Sequence, residues 1–187
     1  GARQFLEAHF RPEAVTGQGI LTAYFAPEYE ARERPDADFS APVRPRPADL
    51  PADTNVTPYL DRAAIEARDP SDAIAWMRPE DLFFLQIQGS GRLRITEPDG
   101  SERTVRVAYA GNNELPYRSV GRWLIEQGEL RADAASWPAI RDWGQRARPE
   151  RLNEMLWSNP RVVFFREEPL PDDTTGPRGA MGVPLTA

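Results

Sequence analysis

Two short stretches of this chain concentrate side chains suited to a polar, uncharged ligand. The first is Gln86-Ile87-Gln88-Gly89-Ser90-Gly91, which follows the apolar run Leu82-Phe83-Phe84-Leu85. Read as a strand, it puts Gln86 and Gln88 on one face, and its glycines let a ligand approach the backbone. Amides and a hydroxyl suit sugar hydroxyls and N-acetyl groups. The plainer reading is a polar strand face ending in a β-bulge. The second stretch is Tyr109-Ala110-Gly111-Asn112-Asn113, followed by Pro116-Tyr117-Arg118-Ser119. A sugar ring can stack on tyrosine, asparagine can bond its hydroxyls, and the start of the following helix offers free backbone N–H groups. The plainer reading here is a turn with Ser119 as helix cap. A third stretch, Leu21-Thr22-Ala23-Tyr24-Phe25, alternates so that Thr22 and Tyr24 share one face. Whether Tyr24 points into a groove stays open. The aromatics of Trp157-Ser158-Asn159-Pro160 and Val162-Val163-Phe164-Phe165 read as core.

Much other chemistry is excluded. The chain has no cysteine and a single histidine, His9. That removes disulfides, thiolate zinc sites and cysteine nucleophiles, and leaves a serine triad only His9, which has no nucleophile motif near it. Catalysis by such a chain rests mainly on carboxylates or tyrosine, which points toward chemistry such as glycoside cleavage. The acidic residues are scattered, and Glu114, inside the polar loop, is the one carboxylate nominated by its surroundings. Gly111-Asn112-Asn113 lacks the Gly-Lys-Ser/Thr of a phosphate loop. No metal and no organic cofactor is suggested. The net charge of −6 repels a phosphate backbone, so nucleic acid is not an expected partner. No apolar run reaches the roughly 18 residues of a membrane span. No signal peptide is visible at Gly1, but a trimmed chain would also lack one, so the compartment stays open.

The elements that must position these groups are short, because 19 prolines interrupt the chain. Ala2 to Phe10 reads as an amphipathic helix and Gly19 to Phe25 as a strand. Pro27 to Pro58 reads as extended edge structure or a long loop. Asp61 caps a helix over Arg62 to Arg68, and Ser71 a second over Asp72 to Met77. Leu82 to Gln88 reads as a strand, and Arg92 to Thr96 pairs with Arg103 to Ala110 through an Asp99-Gly100 hairpin. Helices follow over Ser119 to Gln127, Ala135 to Arg146 and Pro149 to Trp157, then a strand over Arg161 to Arg166. This order predicts a mixed β-barrel with helices packed outside it.

The motifs, taken in order, resemble those of the A-type membrane-bound lytic murein transglycosylases. They are Leu-Thr-Ala-Tyr-Phe at 21–25, Phe-Leu-Gln-Ile-Gln-Gly-Ser-Gly at 84–91, Tyr-Ala-Gly-Asn at 109–112 and Pro-Tyr-Arg-Ser-Val-Gly at 116–121. Asn-Pro at 159–160, Val-Phe-Phe at 163–165 and Gly-Val-Pro-Leu-Thr at 182–186 complete the series. Ala23 departs from the family's usual Gly, and Asn113 and Leu115 from its commoner Gly and His.

The resemblance implies a mainly β fold with short helices. A double-psi β-barrel would be built in part from 1–25 and 166–187, with 26–165 forming a small inserted β-barrel domain and a glycan groove between the two. It implies non-hydrolytic cleavage of the MurNAc–GlcNAc β-1,4 bond in peptidoglycan, leaving 1,6-anhydroMurNAc ends. The family's catalytic aspartate belongs to a C-terminal motif that no position here matches. It is expected beyond Ala187, in a C-terminal part that also completes the barrel. Tyr24, Gln88, Ser90, Tyr109, Asn112, Tyr117 and Arg118 are then the residues expected to position the glycan strand. Other cell-wall proteins are open as further partners. The implied location is the periplasmic side of the outer membrane, by a lipid anchor for which this chain has no cysteine. A non-catalytic glycan-binding module and a structural barrel that contacts a protein partner are the competing readings.

Overall fold

The computed structural model describes residues 2–11, 13, 27–51 and 59–170. The strand expected at Gly19 to Phe25, with Tyr24, and the motif at 182–186 lie outside the described residues. So does most of the two flanking pieces assigned to a double-psi barrel.

The described elements are α1 (Ala2–His9), β1 (Glu28–Arg32), β2 (Ala41–Val43), α2 (Arg62–Glu66), β3 (Ala75–Met77) and α3 (Pro79–Gln88). They continue with β4 (Ser90–Thr96), β5 (Glu102–Asn112), α4 (Val120–Glu126), α5 (Trp137–Arg146), α6 (Pro149–Trp157) and β6 (Val163–Glu168). The strands form one six-stranded sheet in the order β2-β3-β1-β4-β5-β6. β1 and β4 run parallel, with Tyr29 opposite Leu93, and the other neighbours are antiparallel. The class is therefore mixed α/β rather than mainly β. The ladders end openly at β2 and β6. One isolated parallel bridge, Pro45 to Phe165, spans those edges, with the Phe165 N–H donating to the Arg44 carbonyl at 2.9 Å.

Two apolar layers explain the arrangement. Ala31, Met77, Leu93, Ile95, Val105, Val107 and Phe165 form a sheet core. Val120, Leu124, Ile140, Met155 and Leu156 form a helical core. α3 lies between them. Its Leu82 and Leu85 pack on the sheet while Phe83 packs among the helices. This corrects the expected strand over Leu82 to Gln88. A helix covered on two sides is apolar around most of its circumference, so its helical period is hidden and the run imitates a buried strand. Its true signals lie at its ends. Pro79 occupies the first turn with Glu80 and Asp81, and Gly89, at φ 79°, closes the helix as its N–H bonds the Leu85 carbonyl at 2.8 Å.

Gly91 of this motif thus serves the fold, while Gly89 lines a cleft and has open space around it. A Cβ on Gly91 would sit 2.8 Å from Leu85 Cδ1 and 3.1 Å from the Pro27 carbonyl oxygen. At Gly91 the close approach expected of a ligand is made by the protein itself.

The second expected helix, Asp72 to Met77, is also corrected. Its last residues are β3, pairing with β2 so that Ala75 and Met77 bury into the sheet core. Three alternating residues are too few to show a period. The Pro27 to Pro58 region, expected as edge structure or loop, contains β1 and β2. The expected helices at Arg62, Ser119, Ala135 and Pro149 form as α2, α4, α5 and α6, and the Asp99-Gly100 hairpin joins β4 to β5.

Candidate functional site

A cleft of about 390 Å³ opens where the end of α3 and the bulged end of β5 meet Tyr117 and the turn at 159–161. Phe83 and Val163 form its apolar floor. Ile87, Tyr109 and Tyr117 stand at its edge, and 46–51% of each is exposed. Arg62, Gln86, Asn159 and Arg161 supply its polar wall.

Arg62 organises that wall. Asp61 caps α2 by accepting from the Ala64 N–H at 2.9 Å, which starts the helix so that Arg62 and Ile65 turn inward together. Only 3% of Arg62 is exposed. Its Nε donates to the Asn159 carbonyl at 2.9 Å, and its Nη2 donates to the Gln86 Oε1 at 2.7 Å and to the Arg161 carbonyl. Nη1 reaches Glu66 at 3.4 Å, and the guanidinium lies over the Phe83 ring. Burial pulls its pKa below the usual value and Glu66 opposes that, so the cation is held by bonds to three elements.

The polar loop after β5 is tied just as firmly. Gly111, at φ 149°, sits at the bulge, and a Cβ there would come within 2.5 Å of Arg46 Nη1. Asn113 is fully buried. Its Nδ2 donates to the Leu60 and Pro160 carbonyls at 2.9 and 2.8 Å, and its Oδ1 accepts from the Val162 N–H at 2.9 Å. Asn112 Oδ1 accepts from the Glu114 N–H and its Nδ2 donates to the Tyr109 hydroxyl, both at 2.6 Å. That bond helps hold Glu114 at φ 57°, a left-handed conformation uncommon outside glycine.

The structure brings Tyr109 and Tyr117 to the cleft. Burial pushes the Tyr117 phenol up, against its hydrogen bond with Ser119. Asn112 sits just behind, 5% exposed, as a support for Tyr109. Arg118 is exposed beside the cleft, and its backbone N–H donates to Asn159 Oδ1 at 3.1 Å. Gln88 and Ser90 are half-buried, at the end of α3 and the start of β4, and do not line the cleft. Tyr24 lies outside the described residues. Among the described residues no carboxylate lines this cleft, and the bond recorded at Glu114 is made by its backbone N–H to Asn112 Oδ1.

Trp157, expected in the core, is 45% exposed, and its Nε1 donates to Glu66 at 2.7 Å. Phe164 and Phe165 are buried as expected. Gln86 was singled out from the sequence with Gln88, but on a strand face rather than at the end of a helix; Arg62, Asn159 and Arg161 were not nominated as ligand-facing residues. The Arg62 signal was an arginine sharing a helical face with Ile65. For Asn159 and Arg161 the signal exists only in three dimensions.

Buried acids lie at the other end of α3. Glu80 and Asp81 are 4% and 3% exposed, and burial pushes both carboxyls up. Arg141 donates to Asp81 at 3.0 Å. Among the described residues, no group of three or more potential metal ligands occurs, and no helix is long and apolar enough to cross a membrane.

Residues 20–166 match the family model described as "MltA specific insert domain". The chain is 33% identical over 191 residues to the membrane-bound lytic murein transglycosylase A of Escherichia coli, covering 98% of this chain and 48% of that protein. Its likeness to the Vibrio cholerae protein of the same name is 32% over 173 residues, 90% of this chain and 44% of that one. Among solved structures, the Escherichia coli MltA with bound chitohexaose matches with a TM-score of 0.71 at 31% identity, over 88% of this chain and 46% of that one. The lytic transglycosylase LtgG of Burkholderia pseudomallei matches with a TM-score of 0.68 at 38% identity, over 88% and 47%. The chain thus spans about half the length of the relatives it matches.

Proposed function

This chain belongs to the MltA family, and from that membership we propose that it forms one wall of a peptidoglycan-binding groove in a lytic transglycosylase. The observation that carries this reading is the cleft beside α3, with two exposed tyrosines above an apolar floor and a wall of oriented amides and arginines. Aromatic rims with fixed polar groups suit sugar rings. The bound chitohexaose of the Escherichia coli relative supports the same ligand class.

In this reading, residues 26–165 are the inserted small barrel domain, and 1–25 and 166–187 contribute to a double-psi barrel. The Pro45 to Phe165 bridge supports closure of the small barrel. The reaction breaks the MurNAc–GlcNAc β-1,4 bond without water. One carboxylic acid protonates the glycosidic oxygen. The same group, now a carboxylate, takes the proton of the MurNAc C6 hydroxyl as that oxygen attacks C1 and closes the 1,6-anhydro ring. The acid is an aspartate beyond Ala187, in keeping with a cleft that no described carboxylate lines. This chain's contribution is positioning. Tyr109 and Tyr117 contact the strand, Asn112 supports Tyr109, Arg118, Gln88 and Ser90 extend the polar edge, and Tyr24 contributes from the flanking piece. The site of action is the cell envelope, on the periplasmic side of the outer membrane.

Digestion of purified sacculi tests this, comparing the 187-residue chain with a version that continues past Ala187. Anhydro-muropeptides from the longer version alone are expected by mass spectrometry. Anhydro products from the shorter chain would place the acid within it and overturn the assignment. No products from either version would sink the enzymatic reading.

A further inference from the structure

Hydrogen-bond accounting at the cleft gives the wall a sign. A guanidinium has no acceptor, so Gln86 must turn its Oε1 toward Arg62, and the 2.7 Å bond fixes that orientation. The Gln86 NH₂ group has no partner among the described residues. Asn112 is fixed by the same logic. The Glu114 N–H can only donate, so it takes Oδ1, and Nδ2 is left to donate to the Tyr109 oxygen. The Tyr109 hydroxyl proton is then free to donate elsewhere. Asn159 Oδ1 already accepts from the Arg118 and Arg161 N–H groups at 3.1 and 3.3 Å. Asn159 Oδ1 thus accepts two bonds from within, and Gln86 Oε1 and Asn112 Oδ1 one each, while donors on Gln86 and Tyr109 remain open.

We infer that Gln86 is a specificity-determining residue that reads the acetamido carbonyl of an N-acetylated sugar, with Arg62 as the positioning residue behind it. The inference rests on the groove reading above. An amide oxygen is a strong acceptor and meets an oriented NH₂ without a competing choice. The hydroxyl that replaces it in a glucose polymer is a weaker acceptor and brings its own donor. A flexible amide able to flip offers either a donor or an acceptor; one locked by Arg62 offers its NH₂, and so favours the stronger acceptor.

Calorimetric titration with chitohexaose and cellohexaose tests this on the version that continues past Ala187. The native chain should bind chitohexaose about tenfold more tightly, the worth of one oriented neutral hydrogen bond. Gln86→Glu still accepts from Arg62 but offers no amide donor. It should keep the native melting temperature, lose about tenfold for chitohexaose, and leave cellohexaose unchanged. Gln86→Leu should behave alike toward the ligands, which covers the case in which the glutamate variant does not fold. Tyr109→Phe, which keeps the ring, should lose less. An unchanged ratio between the two oligosaccharides in both Gln86 variants, or an equal loss for both, would overturn the inference while leaving the groove intact. Failure of that longer version to bind either oligosaccharide would instead defeat the groove reading.

Discussion

The two ends of α3 handle buried polarity in opposite ways. At the N-terminal end, Glu80 and Asp81 are almost wholly covered, and Asp81 is closed off by Arg141. At the C-terminal end, Gln86 takes one bond from Arg62, lines the cleft with its apolar floor and two tyrosines, and has no partner for its NH₂ among the described residues. The charged end is enclosed because an ionised group out of water demands partners. The neutral amide end can remain partly unsatisfied, because an open donor beside a cleft is hydrated until a ligand replaces the water. One helix therefore anchors the fold at one end and presents a recognition group at the other.

The comparison is broken most severely at Arg62. Arg62→Ala removes the partner of Gln86 and of two carbonyls, and should cost about 3–5 kcal/mol, read by urea unfolding. A cost near zero would mean that the cleft wall is held by something else. Gly91→Ala presses a methyl group against Leu85 and the Pro27 carbonyl, and is expected to cost about 1–3 kcal/mol. Asn112→Ala leaves the Glu114 N–H and the Tyr109 hydroxyl without their bonds, for about 1–2 kcal/mol in the same assay, besides weaker glycan binding.

Glu80 sharpens the contrast through pH. Its folded-state pKa is raised, so the native protein holds the proton more tightly than the unfolded chain does. Stability is then lost as pH rises from the ordinary carboxylate range through the raised value. Glu80→Gln should melt higher than the native protein at neutral pH, with the gap closing toward about pH 4. A gap independent of pH would show that Glu80 is not the titrating group. Smallest of all, Gln88→Ala at the half-buried end of α3 should change stability by less than about 0.5 kcal/mol, and any effect should appear in glycan turnover. Unchanged turnover would remove Gln88 from the site.

Much of the helical layer was legible locally. Asp61, Ser119 and Ser136 cap helices with their own side chains, and Pro149 sits in the first turn of α6. The β4–β5 hairpin was legible for the same reason, since Asp99-Gly100 and strict alternation are nearest-neighbour signals. α3 was not, because two-sided burial erased its period. The candidate site was legible in its ring-bearing half, Tyr109 and Tyr117. Its oriented half was hidden, because Arg62 reaches Asn159 across 97 positions of sequence and Gln86 across 24.

By itself the sequence determined the family, through ordered motifs, and most element ends, through caps, prolines and glycines that act within a few residues. Tertiary structure alone decided that Leu82 to Gln88 is a helix, that Asn112 and Asn113 brace a loop, and that Gln86 presents a donor. Those outcomes depend on which distant groups remove water from a side chain and which of its atoms they occupy, and no local pattern encodes either.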